Sequence, residues 1–176
     1  MNVASRVASL TTLLILAVGT LGCNGDTVAR ENNRRKKLDE QKAILAYSSE
    51  VPKVDAKLKA FVKTWDKVNK LNDVKAHQEA WRTALLPALQ GYIKALGEMP
   101  LGTAGLKRIH AIVLTSYQAA MVPFKAYPEG LTEKNRTERS KKILAALKAV
   151  TKADVAYKAE LGKYYKANGV TLKAKK

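Results

Sequence analysis

Apolar residues recur at steps of three and four along most of this chain, and this spacing restricts it to helices packed on helices. The clearest run comprises Val51, Val54, Leu58, Phe61, Trp65 and Val68. Side chains with this spacing stay on one face of an α-helix and form a seam against a neighbouring helix. The sequence has no sustained alternation of apolar and polar residues, which is the pattern of a β-strand. We therefore expect an all-α protein.

Breaks between the periodic segments predict an antiparallel up-and-down bundle of about four principal helices after a polar N-terminal tether or helix. The breaks fall at Asn72-Asp73, at Met99–Gly102 and at Tyr127–Gly130. The expected N-caps and the expected final stop are Asp73, Thr103, Thr132 and Asn168-Gly169. The short turns favour helices that run antiparallel to their neighbours in the sequence.

Two prolines have different expected positions. Pro52 lies at the start of the first strongly periodic segment, so we expect it in the first turn of a helix, where a missing N–H costs nothing. Pro87 lies inside the second segment, where it is expected to kink the helix.

The first 23 residues have the pattern of an export signal that ends in a cysteine. Arg6 is followed by no charge until Asp26, and the apolar run centred on Leu10–Leu21 is shorter than the roughly 20 residues that span a bilayer. Leu21-Gly22-Cys23 resembles the lipobox of bacterial lipoproteins, although Thr20 stands where Leu is more usual.

The resemblance covers residues 1–24 and implies a lipid-anchored protein of the bacterial cell envelope. It implies cleavage of a signal peptide after Gly22, a diacylglyceryl thioether on Cys23, and N-acylation by a fatty acid such as palmitate. Asn24, in place of Asp, resembles an outer-membrane sorting signal. Two or three acyl chains anchor a protein stably in a membrane. An ordinary signal peptide, or an uncleaved anchor with an incidental cysteine, is the alternative.

These features divide the chain into four expected segments. They are a signal peptide that is removed (1–22), the lipidated cysteine with a polar basic tether or first helix (23–48), the helical bundle (49–170) and a basic C-terminal tail (171–176). The run Arg34–Lys37 either spaces the bundle from the membrane or contacts anionic headgroups.

The charge is strongly basic, with 32 Lys and Arg against 15 Asp and Glu among 176 residues, a formal net charge of +17. A cytoplasmic protein with this charge would suggest a nucleic-acid partner. An exported and tethered chain instead meets membrane headgroups, lipopolysaccharide phosphates and acidic glycans first. The sequence therefore does not favour nucleic acid as a partner.

The C-terminal region holds the most organised part of this charge. Residues 131–176 contain 13 Lys and Arg against 4 Asp and Glu, a net charge of +9. Six lysines of the last helix fall within about 40° of one line at 100° per residue. They are Lys134, Lys141, Lys148, Lys152, Lys163 and Lys166, and we call them the basic face. They suggest docking of an envelope protein or an anionic polymer; a solvated face that keeps the protein soluble is the alternative.

Few residues point to chemistry. The chain has 1 Cys and 2 His and lacks the common nucleophile and metallohydrolase motifs, so we predict a non-catalytic protein with no cofactor and no metal site. His77 and Met121 fall at similar levels of an antiparallel helix pair, so a bundle that carries haem or another small ligand is the alternative. His77 and His110 are otherwise expected at helix surfaces or boundaries.

Two further features are open to interpretation. Asp154 falls on the apolar side of the last helix, so its carboxylate needs a partner, which we expect to be a Tyr, Trp or Lys across the bundle. The terminal Lys176 is similar to the last residue of small murein-linked lipoproteins, in which that lysine is joined to peptidoglycan. An unstructured basic tail is the simpler interpretation.

Overall fold

A computed structural model describes residues 12–14 and 27–174. Residues 27–167 form an all-α bundle of four rods, as the sequence predicts. The helices are α1 (Thr27–Val68), α2 (Val74–Ala80), α3 (Leu86–Gly97), α4 (Ala104–Ala126) and α5 (Glu133–Ala167). A π-helical turn at Trp81–Leu85 joins α2 to α3, so these two helices form one rod.

The rods alternate in direction because short turns connect them. Contacts between α1 and α5 close the bundle: Gln41 Nε2 donates to the Asn168 carbonyl at 2.9 Å, and Ser48 Oγ lies 3.1 Å from Tyr165 Oη. Residue numbers rise along α1 as they fall along α5, so the two helices are antiparallel. The periodic residues of each rod line the core, where Trp81, Tyr47 and Phe124 are the largest fully buried side chains.

The expected caps and the expected final stop are confirmed. Asp73 accepts a hydrogen bond from Ala76 N at 2.7 Å, and Thr103 accepts one from Leu106 N at 3.3 Å. Thr132 and Asn135 form a reciprocal capping box at the start of α5. Gly169, with φ 72°, takes the left-handed conformation that ends this helix. Side-chain oxygens at these starts satisfy N–H groups that have no partner inside the helix.

The N-terminal segment differs from its prediction. Residues 27–68 form one continuous helix, so no helix boundary lies at residue 48, and Pro52 lies in the helix interior rather than in a first turn. Ile44 and Tyr47 are buried in the bundle core, although both belong to the segment predicted as a tether or first helix. They continue the seam of Val51 and Val54 backward at the same spacing, so this part of α1 packs like the rest.

Pro87 coincides with an irregular turn, as expected of a proline inside a helix. Leu86 N donates to the Trp81 carbonyl, five residues back, and Pro87 has no N–H with which to continue the ordinary ladder. A π-helical turn accommodates the extra residue within one rod. Trp81 and Leu85, its first and last residues, both point into the core.

The chain also contains a short strand pair that was not predicted from the sequence. β1 (Thr12–Leu14) pairs antiparallel with β2 (Leu172–Ala174), with Leu13 opposite Lys173. If the signal peptide is removed as predicted, this pair belongs to the precursor alone.

Candidate functional site

The basic face is a continuous surface on one unbroken helix. All six of its lysines lie on α5 and are exposed to solvent. From Lys134 to Lys166 the face spans about 48 Å at 1.5 Å per residue. Leu144 and Val155, which border the lysines, are 56% and 65% exposed. The surface therefore combines a line of cations with two accessible apolar side chains.

Little of this charge is neutralised inside the molecule. Within the described residues, one lysine of the basic face forms an ion pair: Lys163 Nζ lies 2.8 Å from Glu160. Glu160 also lies 3.7 Å from Arg108 of α4. The hydrogen bond and charge of Lys163, with a smaller contribution from Arg108, lower the pKa of Glu160. The acidic partner is thus confined to the C-terminal part of the face.

The arginines of α5 lie on the side of the helix opposite to the basic face, where they donate hydrogen bonds to carbonyls of the neighbouring loops and helix ends. Arg136 donates from Nη1 to the Asn72 carbonyl and from Nη2 to the Leu71 carbonyl, each at 2.8 Å. Arg139 Nη1 donates to the Ala126 carbonyl at 2.6 Å. A guanidinium can serve several carbonyls at once because its donors form a rigid fork. The arginines therefore serve the fold, whereas the lysines on the opposite side face solvent.

A buried hydrogen-bonded chain connects all four rods. Tyr157 Oη of α5 lies 2.5 Å from Tyr47 Oη of α1, and Tyr47 Oη lies 2.8 Å from His110 Nδ1 of α4. His110 Nε2 lies 2.9 Å from the Leu96 carbonyl of α3. We call these residues the Tyr-His chain. Each polar group in it is satisfied by another, as buried polar groups must be.

The partners fix the direction of the hydrogen bonds. The Leu96 carbonyl can only accept, so His110 carries its proton on Nε2 and its Nδ1 accepts from the Tyr47 hydroxyl. The Tyr47 oxygen then accepts from Tyr157. Burial lowers the pKa of His110, which keeps the imidazole neutral, and burial raises the pKa of both tyrosines. The chain is therefore uncharged at neutral pH.

The prediction that both histidines lie at helix surfaces or boundaries is wrong. His77 is 2% exposed and His110 is 1% exposed. His77 stacks on Trp81, with ring centroids 5.7 Å apart and planes inclined by 21°. A neutral imidazole fits a core when another group fixes its tautomer, as the Leu96 carbonyl does for His110. The apolar spacing of Val74, His77 and Trp81 was the sequence signal for burial.

His77 keeps one buried nitrogen unsatisfied. Arg136 Nη2 lies 3.1 Å and the Leu71 carbonyl oxygen 3.3 Å from His77 Nδ1, so this nitrogen faces one donor and one acceptor. His77 Nε2 is buried and has no hydrogen-bond partner among the described residues. Burial lowers the pKa of His77; a hydrogen bond to the Leu71 carbonyl opposes this shift and the Arg136 charge adds to it.

Asp154 finds its partner on its own helix rather than across the bundle. Its Oδ2 lies 3.8 Å from Lys158 Nζ, one turn further along α5. Burial raises the pKa of Asp154, and the charge of Lys158 opposes that shift. The carboxylate adds to the rise in the pKa of Tyr117, which is mainly caused by burial. Asp154 therefore lies at the edge of a tyrosine cluster, paired with a lysine that is outside the basic face.

An aromatic cleft of about 260 Å³ opens at the end of the bundle where α5 begins. It is lined by Trp65, Asn69, Trp81, Tyr127, Ser140, Ile143 and Leu144. The Trp81 and Tyr127 rings stack with centroids 3.9 Å apart, and Trp81 Nε1 donates to the Phe124 carbonyl at 2.9 Å. The stacked rings join the π-helical turn to the C-terminal end of α4, and Tyr127 Oη lies 3.4 Å from Ser140 Oγ of α5.

Met121, the other suggested haem ligand, has different neighbours from His77. It lines a surface groove between α3 and α4 with Ile93 and Gln118. His77 packs instead against Tyr127, six residues or about 9 Å further along the chain from Met121 at helical rise. The structure shows the two residues in separate environments.

Several predicted features lie beyond the described residues or concern membranes and metals. Cys23, most of the signal peptide and Lys176 fall outside residues 12–14 and 27–174. Among the described helices, none combines the length and the apolar character of a membrane-spanning segment. Among the described residues, no group of three or more His, Cys, Asp or Glu side chains is placed where it could hold a metal ion.

Comparison with known proteins adds no assignment. No protein family, curated protein or solved structure matches this chain.

Proposed function

We propose that this protein is a lipid-anchored, non-catalytic binding protein of the bacterial envelope. Lipid on Cys23 holds it to the membrane, in line with the lipobox resemblance of residues 21–23. The basic face of α5 then docks an acidic envelope protein or an anionic polymer. The protein acts as an accessory or scaffold for that partner.

The observation that carries this proposal is the arrangement of charge on α5. Six exposed lysines follow one line for about 48 Å, and one of the six has an internal ion pair among the described residues. Aligned cations of this kind attract an extended anionic surface and steer its approach.

The division between lysine and arginine on α5 supports a binding function. Arg136 and Arg139 hold loop carbonyls, so the fold depends on them. Lys141, Lys148 and Lys152 are exposed and lie on the opposite side. Their charge can be changed with little effect on stability, because exposed side chains without structural contacts usually contribute less than about 0.5 kcal/mol.

The test compares two triple variants with the same change in charge. Lys141→Glu, Lys148→Glu and Lys152→Glu alter the basic face, whereas Lys57→Glu, Lys63→Glu and Lys67→Glu alter exposed lysines of α1. We expect the first variant to lose its partner in pull-downs from cross-linked envelopes, and the second to retain it. Wild-type retention should also weaken as salt is raised.

Equal retention by wild type and the basic-face variant would contradict the proposal. The intact mass of the wild-type protein and the membrane fraction of Cys23→Ala test the anchor separately. We expect an acylated mass for the wild type and release of the variant from the membrane. An unmodified wild-type mass would refute the lipoprotein assignment.

A further inference from the structure

The first turns of α1 project beyond the bundle as an exposed basic helix. Residues 29–39 are all exposed and cover about 15 Å at helical rise. Within residues 29–42 there are six Lys and Arg against three Asp and Glu. Arg35 is paired with Glu31 at 3.0 Å, and Leu38 between the cations is 44% exposed.

The C-terminal end of α5 meets this helix where it leaves the bundle. Gln41 donates to the Asn168 carbonyl, and Lys37 lies beside Gly169. Lys166, the last lysine of the basic face, is exposed on the same end of the molecule. We call Arg34, Lys36, Lys37 and Lys166 the basic pole. Cations from the N-terminal part of α1 and from the C-terminal end of α5 therefore meet at one end of the bundle.

The basic pole is also the end of the molecule nearest to the predicted anchor. Cys23 precedes the start of α1 at Thr27 by four residues, which span at most about 14 Å when fully extended. If Cys23 carries lipid, as the proposed function requires, the pole is held close to the bilayer surface. The middle of the basic face is much farther away: Lys152 lies 14 residues, about 21 Å, from Lys166 along α5.

We infer that the basic pole docks on anionic phospholipid headgroups and stands the bundle end-on to the membrane. Phospholipid phosphates complement the clustered ammonium and guanidinium groups, and Leu38 supplies an apolar side chain at the headgroup boundary. This contact provides a second membrane signal next to the lipid. It also leaves the rest of the basic face directed away from the bilayer and open to a partner.

The expected strength follows from the number of cations. Each Lys or Arg near an anionic surface strengthens adsorption by about fivefold. Removing three of them weakens adsorption by roughly 100-fold, and reversing their sign weakens it further. The effect is confined to groups near the surface, because the Debye length at physiological salt is about 8 Å.

Vesicle co-sedimentation tests this inference on the chain from residue 23 with Cys23→Ser, so that no lipid is attached. All described core residues lie between Ile44 and Val170, so this form keeps the core. The vesicles contain phosphatidylglycerol in phosphatidylcholine, or phosphatidylcholine alone. The pole variant carries Arg34→Glu, Lys36→Glu and Lys37→Glu, and its matched control carries Lys141→Glu, Lys148→Glu and Lys152→Glu. Circular dichroism verifies that both variants are helical.

We expect binding to the anionic vesicles to fall at least roughly 100-fold in the pole variant, and by less than about tenfold in the control. Equal losses would show that net charge alone governs adsorption and would overturn the inference. Undiminished binding of the pole variant, or equal binding to neutral vesicles, would overturn it too. The proposed function fails independently, through retention of the partner by the basic-face variant or an unacylated wild-type mass.

Discussion

At the scale of single residues, Tyr47 and Tyr157 have different hydrogen-bonding roles in the core. In the Tyr-His chain, Tyr47 is both donor and acceptor, because it gives its proton to His110 Nδ1 and accepts from Tyr157. Tyr157 is only a donor in this chain. Loss of a group that serves two buried partners costs more than loss of a group at the end of the chain.

Tyr47→Phe is therefore expected to destabilise the protein by about 1–3 kcal/mol, because it leaves the buried His110 Nδ1 without a donor. Tyr157→Phe leaves the bond from Tyr47 to His110 in place and is expected to cost about 0.5–1.5 kcal/mol. Urea unfolding of both variants measures the difference. A larger loss for Tyr157→Phe would contradict the assigned direction of the chain.

At the scale of helices, a glycine is required only where another side chain packs closely against the helix. Gly105 lies in the first turn of α4, where an added Cβ would overlap the ring of Tyr164. The Tyr164 hydroxyl lies 2.7 Å from Thr103 Oγ1, the cap of the same helix. The start of α4 is thus fixed by packing and capping together. Gly91, inside α3, has open space where its Cβ would be.

Gly105→Ala is expected to lower the free energy of unfolding by roughly 1–3 kcal/mol, because the Tyr164 ring must move and its hydrogen bond to Thr103 is strained. Gly91→Ala, the matched control, is expected to raise it by up to about 1 kcal/mol, since alanine is the better helix former. Thermal unfolding of the two variants gives the comparison. Stabilisation by both substitutions would show that Tyr164 does not restrict α4.

At the scale of the whole molecule, two buried neutral histidines link stability to pH. Burial lowers the pKa of His77 and His110 in the folded protein, while in the unfolded chain both titrate near 6.5. As pH falls below this value, the unfolded state takes up protons first. The contribution of the two neutral histidines to the free energy of unfolding is therefore fully present above about pH 7.5, and it is lost as the solution becomes more acidic.

We expect the free energy of unfolding to fall between about pH 7 and pH 5.5, by at most about 1.4 kcal/mol per pH unit for each histidine. Chemical unfolding at several pH values measures this slope. The double variant His77→Gln, His110→Gln should show a flatter dependence, whatever its absolute stability. A wild-type stability that does not change over this range would refute the assignment of neutral buried histidines.

Local pattern was sufficient for the turns between the rods and for the starts of α2, α4 and α5. Three- and four-residue spacing predicted the four rods, and short polar side chains before three of them predicted the caps at Asp73, Thr103 and Thr132. The basic face also followed from the sequence, because helical phase fixes which lysines share a side. These features depend on residues within a few turns of one another.

The partners of polar side chains were decided only by the tertiary structure. The burial of His110 depends on Tyr47 and Leu96, which lie on two other helices. These partners cannot be deduced from the spacing of residues within α4. The backward extension of α1 likewise depends on what Ile44 and Tyr47 pack against. The sequence by itself determined the turns, the caps and the outward faces of the helices, since those arise from local geometry. The interior network and the basic pole required the packed bundle, because residues distant in the chain create them.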